Sequence, residues 1–491
     1  MNSFGSLIVK PPLERNIFTN RTLNLRSIKT IGYDMDYTLI NYNVKNLEEM
    51  AYEHLKEKLR KLGWPIENLR YDPTMMIRGL VIDKELGNVV KPNRFGYIKR
   101  ACHGTSPLSF DEMRNIYSRT LVDISEGRWV LLTTLFDLSL GCIYVQLVDK
   151  LDCRELPEMS GYADLQEQVS RKLDLAYAKG LLRDEILKDP ETYVVKDAEA
   201  PLALLDQKYA DKNLVLITDS DWGYVKKIMA YAFDRHLPNG KRWRDLFDMV
   251  IVSAGKPNFF LQKQPAFEVI NEEGLLQPVV ESLKKDRIYV GGHAGMVEDA
   301  FEMDGNKIMY VGDHIEADVH ASKRMRRWRT ALVLPELEDE LASLQEFSAQ
   351  QVDLLALMQE KAKIENELNQ IKIYTQRSKF GYGPQPDVSV SGLGQKTEEL
   401  SKKISDLDRQ IEPLARKAWE SFNPRWGLIT RTGWDKSYLS RMLERYADIY
   451  TSRVSNFLCR TPFAYLRSTR SSLPHDGGII QGPSKWKIDG G

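Results

Sequence analysis

Two aspartates one residue apart, Asp34 and Asp36, stand just past an apolar run in the stretch IKTIGYDMDYTLINYN, residues 28 to 43. Side chains at i and i+2 of an extended chain point to one face, so a chain curling off a strand end can aim both carboxylates into one crevice. They repel each other there, and the end of a buried strand is a costly place for unpaired charge. Held together, one carboxylate can serve as a nucleophile and the other as a general acid and base. A divalent cation would offset the repulsion. Mg²⁺ suits oxygen donors and needs only one or two carboxylates plus substrate phosphate. Taken alone, DMDYT also fits a solvated turn whose Asp caps a helix.

Three more groups change that balance. GDHIEAD, residues 312 to 318, supplies Asp313 and Asp318 after another hydrophobic run. Asp313 would be a natural metal ligand there, with Asp318 reaching the metal through water; an acidic helix start is the bland alternative. VLIT supplies Thr218, whose hydroxyl and neighbouring backbone N–H groups suit a phosphate. AGKP supplies Lys256, a point charge for phosphate oxygens. Each of these reads equally as a cap or a surface lysine. All four kinds, in this order and each at the end of an apolar run, are hard to obtain by chance.

The elements that must position them follow a simple pattern. Residues 28–33, 213–220, 248–257 and 306–315 are apolar runs ending in polar residues, as parallel strands do at their carboxyl ends. Helical patterns are expected between them at 221–236 and 258–273, and a helix over 45–62 with Leu47, Met50, Ala51, His54, Leu55, Leu59 and Leu62 on one side. Strands alternating with helices predict an α/β fold, a Rossmann-like parallel sheet covered on both faces, with ligands beyond the strand ends. The roughly 180 residues between Asp36 and Thr218 are too many for one crossover and must hold an inserted unit, a cap over the site.

Later the pattern changes. Leu354, Leu357, Ile364, Leu368 and Ile371 approach a heptad seam interrupted by Lys361, and Leu400, Ile404, Leu407, Ile411 and Leu414 are spaced 4, 3, 4, 3. A Gly-, Pro- and Ser-rich stretch lies between, which predicts a helical hairpin with a flexible loop at 376–395. The expected divisions are 1–43 with 196–350 for the core, 44–195 for the mixed α/β cap, 351–420 for the hairpin, and 421–491 for a segment packing on the core with a mobile tail from about 476. The hairpin either packs on its own domain or helps an oligomer interface.

The bulk numbers exclude several classes. Lys+Arg and Asp+Glu are both 69 in 491 residues, which argues against a protein with a basic nucleic-acid-binding surface. The four cysteines form no CxxC pair and fit reduced cytoplasmic thiols. The N-terminus, MNSFGSLIVKPPLERN, has no basic start followed by a long apolar core, so no signal peptide is expected. The apolar run at 129–148 contains Asp137, which would cost about 2.5–3.5 kcal/mol at mid-membrane, so a buried strand or helix is expected rather than a span.

The ordered set DMDYT, VLIT, GKP and GDHIEAD resembles the haloacid dehalogenase superfamily of phosphatases. With TLFDL, YVVKD, KIMAYAFD, GKPNFF, WRTALVLPEL and RYADIY, the chain from about 10 to 475 resembles the cytosolic purine 5′-nucleotidases specific for IMP and GMP. The resemblance implies a haloacid dehalogenase core with an inserted cap and a C-terminal helical hairpin. It also implies that Asp34 attacks the 5′-phosphate and that Asp36 serves the leaving oxygen and then water. Mg²⁺ would be held by Asp34, the Asp36 carbonyl and Asp313, with Asp318 supporting its waters. Thr218, Asp219, Ser220 and Lys256 would form the phosphate site, although relatives have an asparagine at the position of Asp219, which is expected to use its backbone or to point away.

For the base and sugar, the resemblance implies Phe136 as a stacking partner with Asp137 beside it, and Asp174 as a carboxylate towards a 6-oxopurine N–H. Ser170 replaces a family arginine with Arg171 beside it, Tyr177 replaces a histidine and Arg183 replaces a lysine. The implied partners are GMP and IMP, a nucleotide effector bound near Lys323 and Arg329, and further copies of the chain in a dimer or tetramer, with no nucleic acid and no membrane. Asp123 replaces an arginine of the effector site, which puts that site in doubt. Relatives can also pass the phosphate to a second nucleoside. A catalytically silent nucleotide sensor on the same fold is the competing expectation.

Overall fold

Short runs of Val, Ile, Leu and Tyr with no polar alternation must be covered on both faces, and only the middle of a sheet offers that. The computed structural model describes residues 11–178, 180–384 and 389–469, the side chains of 174–178 and 390 excepted. Among the described residues, the main sheet has ten strands in the order Phe18–Thr19, Ile449–Thr451, Arg329–Val333, Ile308–Gly312, Thr30–Tyr33, Asn213–Ile217, Met249–Val252, Arg287–Gly291, Ala266–Val269 and Leu276–Pro278. The strands from Ile449–Thr451 to Arg287–Gly291 run parallel, and the outer ones at both edges are antiparallel.

Alternate residues of the central strands feed two separate cores. Leu214, Leu216, Val250, Val252, Met309 and Val311 pack with the helix Trp222–Phe233. Val215, Ile217, Met249, Ile251, Ile308 and Tyr310 pack on the opposite face with Phe259, Phe260, Val297 and Phe301. Helices therefore cover both faces of the sheet, as expected for the Rossmann-like α/β class.

One expected helix is not there. Over 258–273 only Asn258–Leu261 is helical; the chain then forms the antiparallel strands Ala266–Val269 and Leu276–Pro278 at the sheet edge. Pro265 cannot continue a helix, and the residues after it pair instead with Arg287–Gly291.

The inserted region carries a five-stranded antiparallel sheet in the order Ser106–Pro107, Ile98–His103, Asn88–Pro92, Val81–Asp83, Trp129–Leu131. Beside it lie the helices Val44–Arg60, Leu138–Asp152, Tyr162–Ala178 and Leu181–Lys188. In Val44–Arg60 the expected face is buried at Leu47, Ala51, Leu55 and Leu59, but the helix stops before Leu62, which is exposed. The apolar run 129–148 is a strand followed by a helix, and no helix among the described residues is long and apolar enough to cross a membrane.

The hairpin is longer than expected. Its helices run Ser348–Phe380 and Val390–Glu420, so much of the anticipated loop at 376–395 is helical. Gly381, at φ 65°, ends the first helix in a left-handed cap, and the Ser389 hydroxyl caps the second. Leu368, Ile371, Leu393 and Leu400 form the seam, and Lys361, which interrupts the heptads, reaches Asp408 across it at 2.5 Å.

The C-terminal segment does more than pack on the core. Ile449–Thr451 is itself a sheet strand. Upstream, the Trp426 indole donates to the Met75 carbonyl and Lys91 donates to the carbonyls of Trp426 and Leu428, which fastens the inserted region from behind. The tail expected to be mobile from about 476 lies outside the described residues.

Candidate active site

Four adjacent parallel strands end at one crevice. Asp34 follows Thr30–Tyr33, Thr218 follows Asn213–Ile217, Lys256 lies just beyond Met249–Val252, and Asp313 follows Ile308–Gly312. The Asp34 N–H donates to the Val311 carbonyl at 2.9 Å and the Thr218 N–H to Ile251 at 3.0 Å, so the ladder continues one residue past each strand and fixes where these side chains start.

The carboxylates of Asp34, Asp313 and Asp318 each offer an oxygen within 4.8 Å of the others, and all three residues are buried. The Lys256 ammonium lies 2.8 Å from both Asp34 Oδ1 and Asp318 Oδ1. Asp318 thus stands among the other carboxylates rather than at one remove. It also accepts the His314 N–H at 3.1 Å, and a Cβ at Gly312 would collide with its carboxyl, so only glycine allows the approach.

Burial raises the pKa of Asp34 well above the carboxylate range; Lys256 opposes this, and Asp318, Asp313 and Asp36 add to it. Asp313 rises to about 8, from burial first and then from Asp318. Burial works to lower the Lys256 pKa, but Asp318 and Asp34 hold it well above its usual value. Ionised together, three buried carboxylates would outweigh one ammonium and leave a surplus of negative charge. An all-oxygen donor set with that surplus fits a hard divalent cation.

Asp36 turns away from this cluster. Its Oδ1 accepts the Tyr42 hydroxyl at 2.5 Å and its Oδ2 accepts the Ser220 hydroxyl at 2.7 Å. Thr218 Oγ1 accepts the Ser220 N–H at 3.1 Å. The helix behind this loop is capped by Asp221, not by Thr218. Asp219 accepts the Lys256 backbone N–H at 2.9 Å, which ties the phosphate loop to the lysine loop. Its carboxyl pKa is raised, by burial first.

Residues from the inserted region close the crevice into a cavity of about 440 Å³, within the usual size for a small-molecule site. Its walls include Leu47, Leu132, Leu140, Leu173, Leu182 and Ile186. Phe136 also lines it, edge-on to Tyr37 at 4.7 Å, on the short turn Leu135–Asp137. Asp137 also lines the cavity, and it accepts the N–H groups of Thr133 and Thr134 and so fixes the turn that carries Phe136. Arg183 lines the cavity, 3.4 Å from Asp221. Ser170 lines it too and accepts from Gln166.

Arg171 does not fit the expectation: it is exposed and outside the cavity lining, because the buried face of its helix runs through Leu165, Val169 and Leu173. The side chains of Asp174 and Tyr177 lie outside the described residues. Lys323 and Arg329, the residues of the effector expectation, both pair with buried Asp448, at 2.6 and 2.9 Å, and Arg21 lies 3.9 Å from the same carboxylate, so three cations share one negative charge.

Other residues at the site carried no motif. The Tyr310 hydroxyl lies beneath Lys256 at 3.3 Å and donates to the Ile217 carbonyl. His314 Nδ1 accepts the N–H groups of Glu316 and Ala317, which leaves the proton on Nε2, 3.4 Å from Thr133 Oγ1 in the inserted region. Burial lowers its pKa to about 4. The Arg78 guanidinium donates to the Asp313 carbonyl at 3.1 Å and pairs with Glu336 at 2.8 Å, joining the inserted region to the metal-binding loop. Arg78 is a lone basic residue in a mixed stretch, and nothing in the sequence marks it. Tyr42 does sit close behind DMDYT, and that proximity was a usable signal.

The profile described as the 5′ nucleotidase family matches residues 17–478. A 5′-nucleotidase domain-containing protein of Dictyostelium discoideum is 28% identical over 476 residues, covering 94% of this chain and 75% of that protein. A haloacid dehalogenase-like family hydrolase from Xanthomonas campestris, known from a crystal structure, is 14% identical, with a TM-score of 0.24 over 62% of this chain and 82% of its own.

Proposed function

This chain belongs to the 5′ nucleotidase family, enzymes that hydrolyse nucleoside monophosphates, and we propose that it is a Mg²⁺-dependent member acting on purine nucleotides, GMP and IMP ahead of AMP and CMP. The observation that carries the chemistry is the buried set of Asp34, Asp313, Asp318 and Lys256 at the mouth of a cavity walled by the inserted region. Phosphoryl transfer asks a protein mainly for positioning and for offset of negative charge, and this set supplies both.

Asp34 is the nucleophile in this reading. Its carboxylate forms a bond to phosphorus as the bond to the nucleoside O5′ breaks, and Asp36 gives O5′ its proton. Lys256, Thr218 and Ser220 hold the transferring phosphoryl group. In the second half-reaction Asp36 takes a proton from water, which attacks the phosphoaspartate and frees inorganic phosphate. Asp34, Asp313 and Asp318, with the Asp36 carbonyl, would hold the Mg²⁺, and its charge, when bound, offsets both the carboxylates and the phosphate oxygens. Asp219 supports the site by holding the Lys256 backbone.

Binding of a base is supported by Phe136, whose aromatic face at the cavity wall suits any base. Asp174 stays in the proposal as the acceptor for a purine N1–H, a proton that hypoxanthine and guanine carry and adenine lacks. We also read the projecting hairpin, with Val352 and Phe380 exposed, as support for a homo-oligomer.

A phosphate-release assay over GMP, IMP, AMP and CMP, with and without Mg²⁺, tests the reading. Release is expected only with the divalent ion, with kcat/KM highest for GMP and IMP. Equal rates on all four nucleotides would remove the base preference, and full activity of Asp34→Asn would remove the nucleophile. Added inosine that yields new IMP would reveal phosphotransfer from the aspartyl phosphate.

A further inference from the structure

We propose that Tyr42, backed by Tyr224, is a positioning residue for Asp36, setting which carboxylate oxygen faces the leaving group. The inference rests on the reading of Asp36 as general acid and base.

Both Asp36 oxygens are engaged, by the Tyr42 hydroxyl on Oδ1 and the Ser220 hydroxyl on Oδ2. The Tyr42 oxygen lies 2.8 Å from the Tyr224 hydroxyl. A carboxylate only accepts, so the Tyr42 proton points to Asp36 and the Tyr224 proton to Tyr42; the direction of the chain is fixed. Tyr42 is 5% exposed and Tyr224 3%, so water is a poor substitute for either hydroxyl. A buried polar chain of this kind, fully satisfied, holds its members rigidly. With Tyr42 pinning Oδ1, Oδ2 is held on the side of the phosphate loop, beside Ser220, and its second lone pair is placed to carry the proton.

The chain starts where the inserted region meets the core. Tyr42 sits on the strand Asn41–Tyr42, which pairs with Val194–Val195 as the chain returns from the insertion. Tyr224 lies in the first turn of Trp222–Phe233, with the Arg183 guanidinium of the inserted region 5.7 Å from its ring. Asp36 is therefore aimed by groups that are in place only when the inserted region is seated.

The consequence is specific to one step. As the Asp34–phosphorus bond forms and the phosphorus–O5′ bond breaks, the Asp36 proton must reach O5′. A nucleoside alkoxide needs that proton, whereas p-nitrophenolate leaves without it. Losing the Tyr42 hydroxyl misaims Asp36, so the damage should depend on the leaving group.

The test compares wild type, Tyr42→Phe, Tyr224→Phe and Asp36→Asn in single-turnover phosphorylation with GMP and with p-nitrophenyl phosphate, both in Mg²⁺. Tyr42→Phe is expected to lose about 10- to 150-fold on GMP, the range for one hydrogen bond to a charged group, with under about threefold loss on p-nitrophenyl phosphate and an unchanged Kd for GMP. Tyr224→Phe should give the same pattern at smaller size, and it reads the chain independently should Tyr42→Phe melt early. Equal losses on both substrates, or none on either, overturn the positioning role. Asp36→Asn separates the two ideas. If it shows no dependence on the leaving group, the reading of Asp36 fails and this inference fails with it. If it shows that dependence and the tyrosine variants do not, the positioning role alone is overturned.

Discussion

Replacing Asp313 with asparagine should stabilise the metal-free protein while removing its response to Mg²⁺. Burial and the neighbouring Asp318 hold the Asp313 carboxyl at about 8, against 3.8 for a free aspartate. Folding therefore takes up a proton between pH 3.8 and 8, and wild-type stability falls as pH rises through that window. One pH unit is worth about 1.36 kcal/mol, so the loss from this group is a few kcal/mol at pH 7, on the order of 4, and well under half of that at pH 5. Asparagine keeps the shape and does not titrate. Unfolding entropy of about 2.1 cal/mol/K per residue amounts to roughly 1 kcal/mol/K for a chain this size. In EDTA the variant should then melt a few degrees above wild type at pH 7 and by a clearly smaller margin at pH 5. Adding Mg²⁺ should reverse the order, because a ligand that binds only the folded state stabilises it by mass action and the variant lacks one of the carboxylates that hold it. Scanning fluorimetry in EDTA and in Mg²⁺ at both pH values measures all four quantities. A wild type that melts higher in EDTA at pH 7, or a gap that does not widen from pH 5 to pH 7, would refute the charge-surplus argument.

Three further outcomes follow from contacts around the site. Phe136→Ala should raise KM for GMP about 5- to 150-fold, the equivalent of ~1–3 kcal/mol of base stacking, with little change in kcat; a normal KM in steady-state kinetics would exclude Phe136 from base contact. Arg78→Met leaves Glu336 without its partner and the Asp313 carbonyl without a donor, so about 3–5 kcal/mol of stability and most of kcat should go; chemical denaturation and turnover read the two separately, and an unchanged kcat would remove Arg78 from the support of the metal loop. Lys91 is buried and its pKa is pushed down to about 7, so folding releases a proton between pH 7 and the usual 10.5. Wild-type stability should gain from a rise through that window, and Lys91→Met should lack that gain; parallel pH–stability curves for the two proteins would count against the assignment.

What the sequence made legible follows from how local each signal is. Asp34, Thr218, Lys256 and Asp313 were readable because each is fixed by its own strand, and a strand in a parallel sheet announces itself as an apolar run with a polar end. Phe136 was readable only through resemblance; its placement depends on Asp137 capping a turn, a contact of three and four residues that leaves no periodic trace. Arg171 was misplaced for a related reason. Which face of its helix, Tyr162–Ala178, turns inward is decided by packing against other helices rather than by the segment itself. The false helix at 258–273 is the same problem in a short segment. The helix breaks within four residues of starting, and partners across the sheet edge settle what replaces it. Tyr42 lies only six residues from its partner, but Tyr224 and Arg78 act over separations of 182 and 258 residues, with partners no spacing rule could have named.

The charge surplus and the way the inserted region is fastened belong to one physical problem. Like charges gathered in a low-dielectric crevice repel strongly, and without rigid support they would spread and admit water. A backbone bond to Val311, which a side-chain force cannot easily bend, holds Asp34, and Asp313 follows directly on the neighbouring strand. Asp318, on a helical turn instead of a strand, needs the glycine gap at Gly312 and the Lys256 ammonium to stay in place. From the other side Arg78 grips the Asp313 carbonyl, and it sits in the inserted region that Trp426 and Lys91 tie to the C-terminal segment. That segment is in turn a strand of the same sheet. The acidic cluster is thus enclosed in a loop of contacts that begins and ends on the sheet, so movement of the inserted region as a free lid would break bonds on the very residues proposed to hold the cation.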